Sequence, residues 1–397
     1  MIPLVRDTID KKDIDSLIEW LKTYPRLTKG DLTIEFEKQW SQFLGVKHSI
    51  FCNSGSSANL LMVYALIESG RLKPGDEIII PSLSWSTSLA PAIQFGLKPI
   101  LCDCNKDDLS VDINHLKSIL STHKPKCMMI VPILGFVPNM DMIKDLCSEN
   151  NMILIEDACE SLGSKYNNKQ LGSFGLMSSF STYFGHHMST IEGGMVCTDD
   201  DEVANLLKSL RSHGWDRDMD DEAKASLRKS HNIDEFNSKY TFYHTGFNLR
   251  STDLQAFLGI EQLRKIEFII KKRNENFMMY YSLLDDSIWK PKLRETDYIS
   301  NFAYPIIHGK RSLIVSELNK NNIENRPLLA GSLAKQPYWY KKYGHLELTN
   351  VDDIYNKGFY LPNNHQMGKD EIIAICTIIN NCIPDKKLET EVVQGGK

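Results

Sequence analysis

From residue 48 to residue 157, short apolar runs alternate with longer stretches of helical spacing, and this alternation constrains the fold more than any other feature of the chain. The apolar runs are residues 48–52, 77–81, 98–102, 127–133 and 152–156; the helical stretches are 58–69, 88–95, 114–122 and 140–150. A run such as Glu77-Ile78-Ile79-Ile80-Pro81 has no polar face, so as a strand it must be covered on both sides. Strands of that kind, each followed by an amphipathic helix, predict an α/β fold with a mainly parallel, doubly covered sheet. In such sheets ligands gather beyond the carboxyl ends of the strands.

Two helices are predicted within residues 8–45, around a basic, glycine-containing connection at 24–31. Ile14, Leu17, Ile18 and Leu21 mark the first; Phe36, Trp40, Phe43 and Leu44 mark the second. Residues 180–184 read as a buried strand. A polar turn carrying His186 and His187 follows, then Gly193-Gly194 and another apolar run at 195–197. Residues 199–212 read as a helix whose acidic start suits the positive end of the helix dipole. Residues 216–240 are charged and weakly periodic, and are expected as an exposed excursion; residues 253–272 are expected as one long helix. Weaker strands and helices after it predict a smaller second domain. The expected division is 1–250 for the N-terminal helices and large α/β domain, 251–388 for a small domain, and 389–397 for a polar tail.

Composition narrows the function by exclusion. The net charge of −5 comes with no basic block, which argues against nucleic acid as a partner. No stretch approaches the roughly 18 apolar residues of a membrane helix, and the N-terminus has no apolar signal core, so a cytoplasmic protein with no membrane partner is expected. The nine cysteines are scattered, mostly inside apolar runs, as reduced core thiols would be. Cys102 and Cys104 form the only close pair and have no second pair nearby, so no metal site is expected.

Four strand ends carry unusual residues. In Asn53-Ser54-Gly55-Ser56-Ser57-Ala58, small polar residues lead straight into a helix, which makes either an anion site or a simple N-cap. Trp85, between Ser84 and Ser86, either stacks on a flat ring or joins the core. Glu156 and Asp157 end an apolar strand, with Glu160 close behind; an Asp there either holds a ring nitrogen protonated or caps the next segment. Ser181 and His186 supply a hydroxyl and a base, with His187 as the neighbouring alternative. A phosphate cradle, an aromatic plate, a buried carboxylate and a base are the parts of a pyridoxal phosphate site. The lysine that would bind the cofactor covalently is missing.

The order and spacing of several motifs resemble the DegT/DnrJ/EryC1/StrS family of sugar-modifying aminotransferases. The motifs are Asn53 to Asn59, Lys73-Pro74-Gly75-Asp76-Glu77, Glu156-Asp157-Ala158, Gly172-Ser173-Phe174-Gly175, Phe180-Ser181, Glu192-Gly193-Gly194, and Gly246 to Arg250 leading to Asp253-Leu254-Gln255-Ala256. The resemblance runs over roughly residues 2–385. It implies a fold-type I pyridoxal phosphate-dependent transferase, with a mainly parallel seven-stranded sheet in the large domain and a smaller α+β C-terminal domain. One position departs. Where the family carries its cofactor-binding lysine, six residues before Glu192, this chain has His186, and residues 183–198 contain no lysine. With Ser212-His213-Gly214-Trp215 and Asn364-His365-Gln366, this change is similar to the family's sugar 3-dehydratase branch. A further branch with the same change acts on CDP sugars and holds an iron–sulfur cluster on cysteines of its C-terminal half. Here no cysteine lies between Cys197 and Cys376, which favours the cluster-free branch.

The resemblance implies pyridoxal 5'-phosphate or pyridoxamine 5'-phosphate bound without a covalent link, and no iron–sulfur cluster or metal. It assigns the phosphate to Ser56, Ser57 and Ser181, with the partner subunit's Asn248 completing the site of a homodimer. Trp85 would stack on the ring, Asp157 would meet the pyridine nitrogen, Glu160 would lie near the ring hydroxyl, and His186 would be the base. His213 and Arg326 are substrate-side candidates. The implied reaction is dehydration at C3 of a GDP-4-keto-6-deoxy hexose or heptose, with glutamate restoring the amine form of the cofactor, for surface polysaccharide synthesis. The alternatives are amine transfer to a nucleotide sugar, and the same dehydration of a CDP sugar.

Overall fold

The computed structural model describes residues 1–383; the expected tail at 389–397 lies outside the described residues. Nine strands form in the first half: β1 (His48–Cys52), β2 (Glu77–Pro81), β3 (Lys98–Cys102), β4 (Cys127–Ile130), β5 (Ile153–Asp157), β6 (Lys165–Tyr166), β7 (Lys169–Gln170), β8 (Met177–Ser181) and β9 (Gly194–Thr198). Seven of them build one sheet in the order β1-β9-β8-β5-β4-β2-β3, and β6-β7 is a separate hairpin. β9 runs antiparallel to both β8 and β1, while the other pairs are parallel. This is the mainly parallel seven-stranded sheet that the sequence implied. Ile78, Ile79 and Ile80 are all fully buried, as a strand covered on both faces requires.

The covering helices are α1 (Lys11–Leu21), α2 (Asp31–Leu44), α3 (Gly55–Glu68), α4 (Ser86–Gln94), α5 (Ile113–Thr122), α6 (Met140–Glu149) and α7 (Asp201–Arg211). Side-chain caps start several of them: Asp10, Ser54, Asp112, Asn139 and Asp200 each accept a hydrogen bond from the first turn. α2 is fastened behind the sheet by aromatic edges. Phe36 meets Phe51 at 4.9 Å, and Trp40 meets Phe180 at 5.4 Å between ring centres.

Four expectations need correction. The apolar run 127–133 is not one strand: β4 stops at Ile130 and a 3-10 turn, Ile133–Gly135, follows. The strand expected at 180–184 is β8, which ends at Ser181; Tyr183 and Phe184 are exposed because they face a cavity rather than the core. The excursion at 216–240 contains α8 (Asp221–Ser230), which buries no residue, yet Asp216 is buried and accepts from Arg228 Nε at 2.8 Å. The long helix at 253–272 is two helices, α9 (Asp253–Leu263) and α10 (Ile266–Leu283). Lys265, at the break, reaches Asp13 (2.6 Å), Asp10 (2.9 Å) and the Thr8 carbonyl (2.8 Å), which draws the N-terminal segment down onto α10.

A second sheet follows, from β10 (Tyr304–Ile307), β11 (Arg326–Pro327) and β12 (Gly358–Leu361), antiparallel with β12 in the middle. No helix among the described residues is long and apolar enough to cross a membrane.

Candidate active site

A cavity of about 530 Å³ opens where β1, β5 and β8 end. Ser54, Gly55, Ser56, Trp85, Asp157, Glu160, Ser181 and His186 all line it. Arg326 and Tyr360 enter from the small sheet, and Leu4 and Val5 from the N-terminal segment.

The wall at α3 is both of the things its sequence allowed. Ser54 Oγ caps the helix by accepting from Ser57 N at 3.0 Å. That commits the Ser57 backbone, and Ser57 does not line the cavity; Ser54 stands there instead. The N–H groups of Gly55 and Ser56, at the first two helical positions, have no partner within the helix and lie at the positive end of its dipole. Ser56 Oγ donates to Thr87 Oγ1 at 3.0 Å. Gly55 has to be glycine: a Cβ there would stand 2.7 Å from Ser181 Cβ. At Gly194 a Cβ would stand 2.2 Å from the Ser54 carbonyl oxygen, so this second glycine lets β9 pass under the same turn.

The two carboxylates ending β5 diverge. Glu156, fully buried, accepts from the N–H groups of Gly172 (2.7 Å), Phe174 (2.6 Å) and Gly175 (2.7 Å), so it organises a loop behind the sheet. Asp157 faces the cavity side. Its Oδ2 accepts from Asn59 Nδ2 and from Ser88 Oγ, each at 2.7 Å. Asn59 is itself fixed by Ser179 Oγ at 2.6 Å. Glu160 accepts from Leu134 N at 2.8 Å, and burial pushes its carboxyl up to about 8. Trp85 keeps 54 % of its surface exposed, so it is a cavity wall and not a core residue.

The two histidines separate cleanly. His187 is fully buried and its Nε2–H donates to the Ser300 carbonyl at 3.0 Å, so it belongs to the interior. His186 is part-buried on the cavity and its Nδ1–H donates to the Cys159 carbonyl at 2.8 Å. That bond fixes the tautomer and leaves the Nε2 lone pair without a protein partner. Burial pushes the imidazole down to about 4, against the opposing pull of the Cys159 carbonyl and Asp157. His186 is therefore a neutral base at neutral pH.

Behind His186 stands Arg273, 3 % exposed. It donates to the carbonyls of His186 (3.3 Å), Phe302 (2.8 Å), Asn301 (3.4 Å) and Asn363, and no salt bridge to a carboxylate is formed among the described residues. It ties the loop carrying His186 to Phe302, whose ring lies 5.1 Å from the imidazole.

Of the sequence-assigned residues, the structure brings Ser56, Trp85, Asp157, Glu160, Ser181, His186 and Arg326 into one cavity. It does not bring Asn248 or His213 there within one chain. Asn248 is exposed and its backbone bridges to Ser212; His213 has a left-handed backbone and its ring lies 5.0 Å from that of Trp215. Sequence reasoning missed Ser88, Arg273 and Tyr360 altogether, and passed over Asn59 although it ends the motif Asn53 to Asn59.

This arrangement fits a pyridine ring bearing a phosphate. The helix N-terminus and the space kept by Gly55 suit the phosphate, Trp85 offers an open face, and Asp157 is a held carboxylate. Among the described residues, no lysine lines the cavity. The DegT/DnrJ/EryC1/StrS aminotransferase family model matches residues 7–380. GDP-4-keto-6-deoxy-D-mannose 3-dehydratase of Yersinia pseudotuberculosis is 34 % identical over 381 residues, covering 94 % of this chain and 96 % of its own. The enzyme of the same name from Escherichia coli O55:H7 is 35 % identical over 370 residues, covering 91 % and 94 %. A crystal structure of GDP-4-keto-6-deoxymannose-3-dehydratase with a trapped PLP-glutamate geminal diamine superposes with a TM-score of 0.86 at 31 % identity, covering 96 % of this chain and all of the other.

Proposed function

This chain belongs to the DegT/DnrJ/EryC1/StrS aminotransferase family, and we propose that it removes the C3 hydroxyl of a GDP-4-keto-6-deoxy sugar to give a 4-keto-3,6-dideoxy sugar. The observation that carries this reading is His186, a neutral imidazole with a fixed tautomer and a free Nε2, at the place where the family's lysine would stand. Pyridoxamine 5'-phosphate is the cofactor, supplying an amine that joins the C4 ketone and a ring that takes up electrons.

The chain's residues divide the remaining work. The N–H groups of Gly55 and Ser56, with Ser181, hold the phosphate. Asp157, kept in place by Asn59 and Ser88, faces the pyridine nitrogen and stabilises its proton. Trp85 stacks on the ring. His186 takes up a proton at Nε2 from the carbon that bears the amine, with its other nitrogen anchored on Cys159. Having no amine, it cannot capture the cofactor covalently. The C3 hydroxyl leaves as water, and the nitrogen at C4 is released as ammonia when water restores the ketone. The sugar carbon is reduced by two electrons, and glutamate, oxidised to 2-oxoglutarate, is the reductant that restores the amine form of the cofactor.

The reading includes a cytoplasmic homodimer in which the partner subunit's Asn248 completes the phosphate site, and a division of the chain into two domains, 1–250 and 251–388. His213 lies outside the cavity of its own chain and keeps a substrate role only across such a dimer. The same dehydration of a CDP sugar and amine transfer are the competing reactions. Full-length protein incubated with cofactor, glutamate and a GDP-4-keto-6-deoxy sugar tests it. Release of ammonia with a methylene at C3 is expected by mass spectrometry and NMR; a product that keeps its C3 oxygen and gains an amine sinks the reading.

A further inference from the structure

Residues 2–8 form neither a helix nor a named strand, yet hydrogen bonds hold them at both ends and between. At one end Ile2 makes a parallel bridge to Ile323, just before β11: its N–H donates to the Asn322 carbonyl at 2.9 Å, and its carbonyl accepts from Glu324 N at 3.0 Å. Pro3 restricts Ile2 to extended backbone, which suits that bridge. Leu4 N donates to Glu324 Oε2 at 2.9 Å. Arg6 grips both oxygens of Glu371 and donates to the Gln366 carbonyl at 3.0 Å, while Gln366 Nε2 donates to the Asp7 carbonyl at 3.0 Å. At the other end Thr8 Oγ1 accepts from Ser189 N at 3.0 Å, in the loop of the two histidines. Asn364-His365-Gln366, which the function above leaves without a role, thus clasps this strap through Gln366. Between the fastenings, Leu4 and Val5 line the same cavity as His186. Val5 stands beside the base: a Cβ built on Gly185 would lie 3.9 Å from Val5 Cγ2. The Leu4 N–H is committed to Glu324, and neither side chain carries a donor or an acceptor.

We infer that Leu4 and Val5 are specificity-determining residues: they form the wall that meets C6 of the sugar and select 6-deoxy sugars over those with a hydroxyl at C6. The inference rests on the function proposed above for the class of substrate. There His186 must come within reach of the carbon that bears the amine, and that amine joins C4 of the sugar. C5 and then C6 follow directly from C4, so C6 lies close to the base and to what stands beside it. A methyl at C6 leaves water for an apolar surface there. A hydroxyl at C6 would exchange water for two aliphatic side chains and lose its hydrogen bonds. A heptose would present its C6 methylene to the same wall. In the proposed dimer the partner subunit completes the phosphate site, whereas this wall comes from the chain that supplies His186. The fastenings on Glu324, Gln366 and Ser189 hold Leu4 and Val5 in place before the sugar arrives, which lowers the ordering cost of binding.

Val5→Thr keeps the shape of the side chain and adds a hydroxyl; Leu4→Asn keeps its approximate size and adds an amide. The full-length, cofactor-loaded parent and both variants are titrated by calorimetry with two pairs of nucleotide sugars that differ only at C6: GDP-6-deoxymannose with GDP-mannose, and CDP-6-deoxyglucose with CDP-glucose. GDP, CDP and the cofactor are titrated alongside. The parent is expected to bind the 6-deoxy member of whichever pair it takes about tenfold more tightly, and Val5→Thr to bring that ratio to about threefold or less, with Leu4→Asn acting in the same direction. Affinity for the bare nucleotide and for the cofactor should stay unchanged. A ratio lost in Val5→Thr alone keeps the wall and assigns it to Val5. A parent without a preference at C6, or one that binds neither pair, overturns the inference. So does a preference that survives Val5→Thr, or one lost together with nucleotide or cofactor affinity, which marks a collapsed cavity. Binding is read without turnover, so a failed dehydration assay leaves this test standing, and a dehydrating enzyme indifferent to C6 would keep the proposed function while losing this inference.

Discussion

Replacing His186 with Gln should change how the protein's stability depends on pH, by an amount that follows from the buried imidazole. An unfolded chain protonates this histidine near 6.5, whereas in the folded protein burial pushes it down to about 4. The folded state therefore disfavours the extra proton. Stability from this site is complete above pH 6.5 and is lost as the pH falls toward 4. At about 1.4 kcal/mol per pH unit, the loss reaches up to about 2 kcal/mol at pH 5 and about 3 kcal/mol near pH 4. Gln at this position does not titrate, and His187 remains in both proteins as a common background. Urea unfolding of parent and His186→Gln, at pH 7.5 and at pH 5, isolates the effect. The stability difference between the two proteins should shift by up to about 2 kcal/mol in favour of the variant at pH 5. A difference that stays flat between the two pH values would refute the buried, neutral imidazole and with it a base that is ready at neutral pH.

Two other substitutions probe the surroundings of the same residue. Gly55→Ala places a methyl group 2.7 Å from Ser181 Cβ and 3.0 Å from Cys159 Sγ, so it should cost about 1–3 kcal/mol and weaken cofactor binding at least tenfold in a fluorescence titration; unaltered cofactor affinity would mean that the cradle is elsewhere. Arg273→Met strands the carbonyls of His186, Asn301, Phe302 and Asn363, so it should lower stability by about 3 kcal/mol or more and lower the thermal midpoint by several degrees, with Arg273→Lys recovering part of the loss.

Much of this was readable from the chain because the decisive elements are local. The runs that became β1, β2 and β3 are bounded as the sequence reads them, since each is a short apolar block between turn residues; β2 is covered inside the sheet, whereas β3 lies at its edge and leaves Lys98 exposed. Residues at or just beyond the ends of β1, β2, β5 and β8 line the cavity, where ligands gather in sheets of this kind. What failed depended on partners far along the chain. Tyr183 and Phe184 looked like a continuation of β8, and nothing local says that they would face an open cavity instead of a core. The break between α9 and α10 occurs at Lys265, whose partners Asp10 and Asp13 lie some 250 residues away in sequence. Arg273 sits in the run Lys271-Lys272-Arg273, which reads as a solvated face, yet helix geometry turns Arg273 alone into the interior. Ser57 could not be separated from Ser56 by type; only the capping geometry shows that one backbone N–H is committed and the other is free. Spacing to Glu192 already singled out His186 over His187, and the structure sets His186 on the cavity and His187 in the interior, each ring held by a carbonyl.

The central claim is that an imidazole in place of a lysine directs this cavity toward removing a hydroxyl. Changing His186→Lys and measuring both the intact mass after borohydride reduction and the sugar product tests it most directly. The expected result is a protein carrying covalently trapped cofactor that no longer forms a C3-deoxygenated product. A variant that dehydrates the GDP-4-keto-6-deoxy sugar as well as the parent does would contradict the role given to His186.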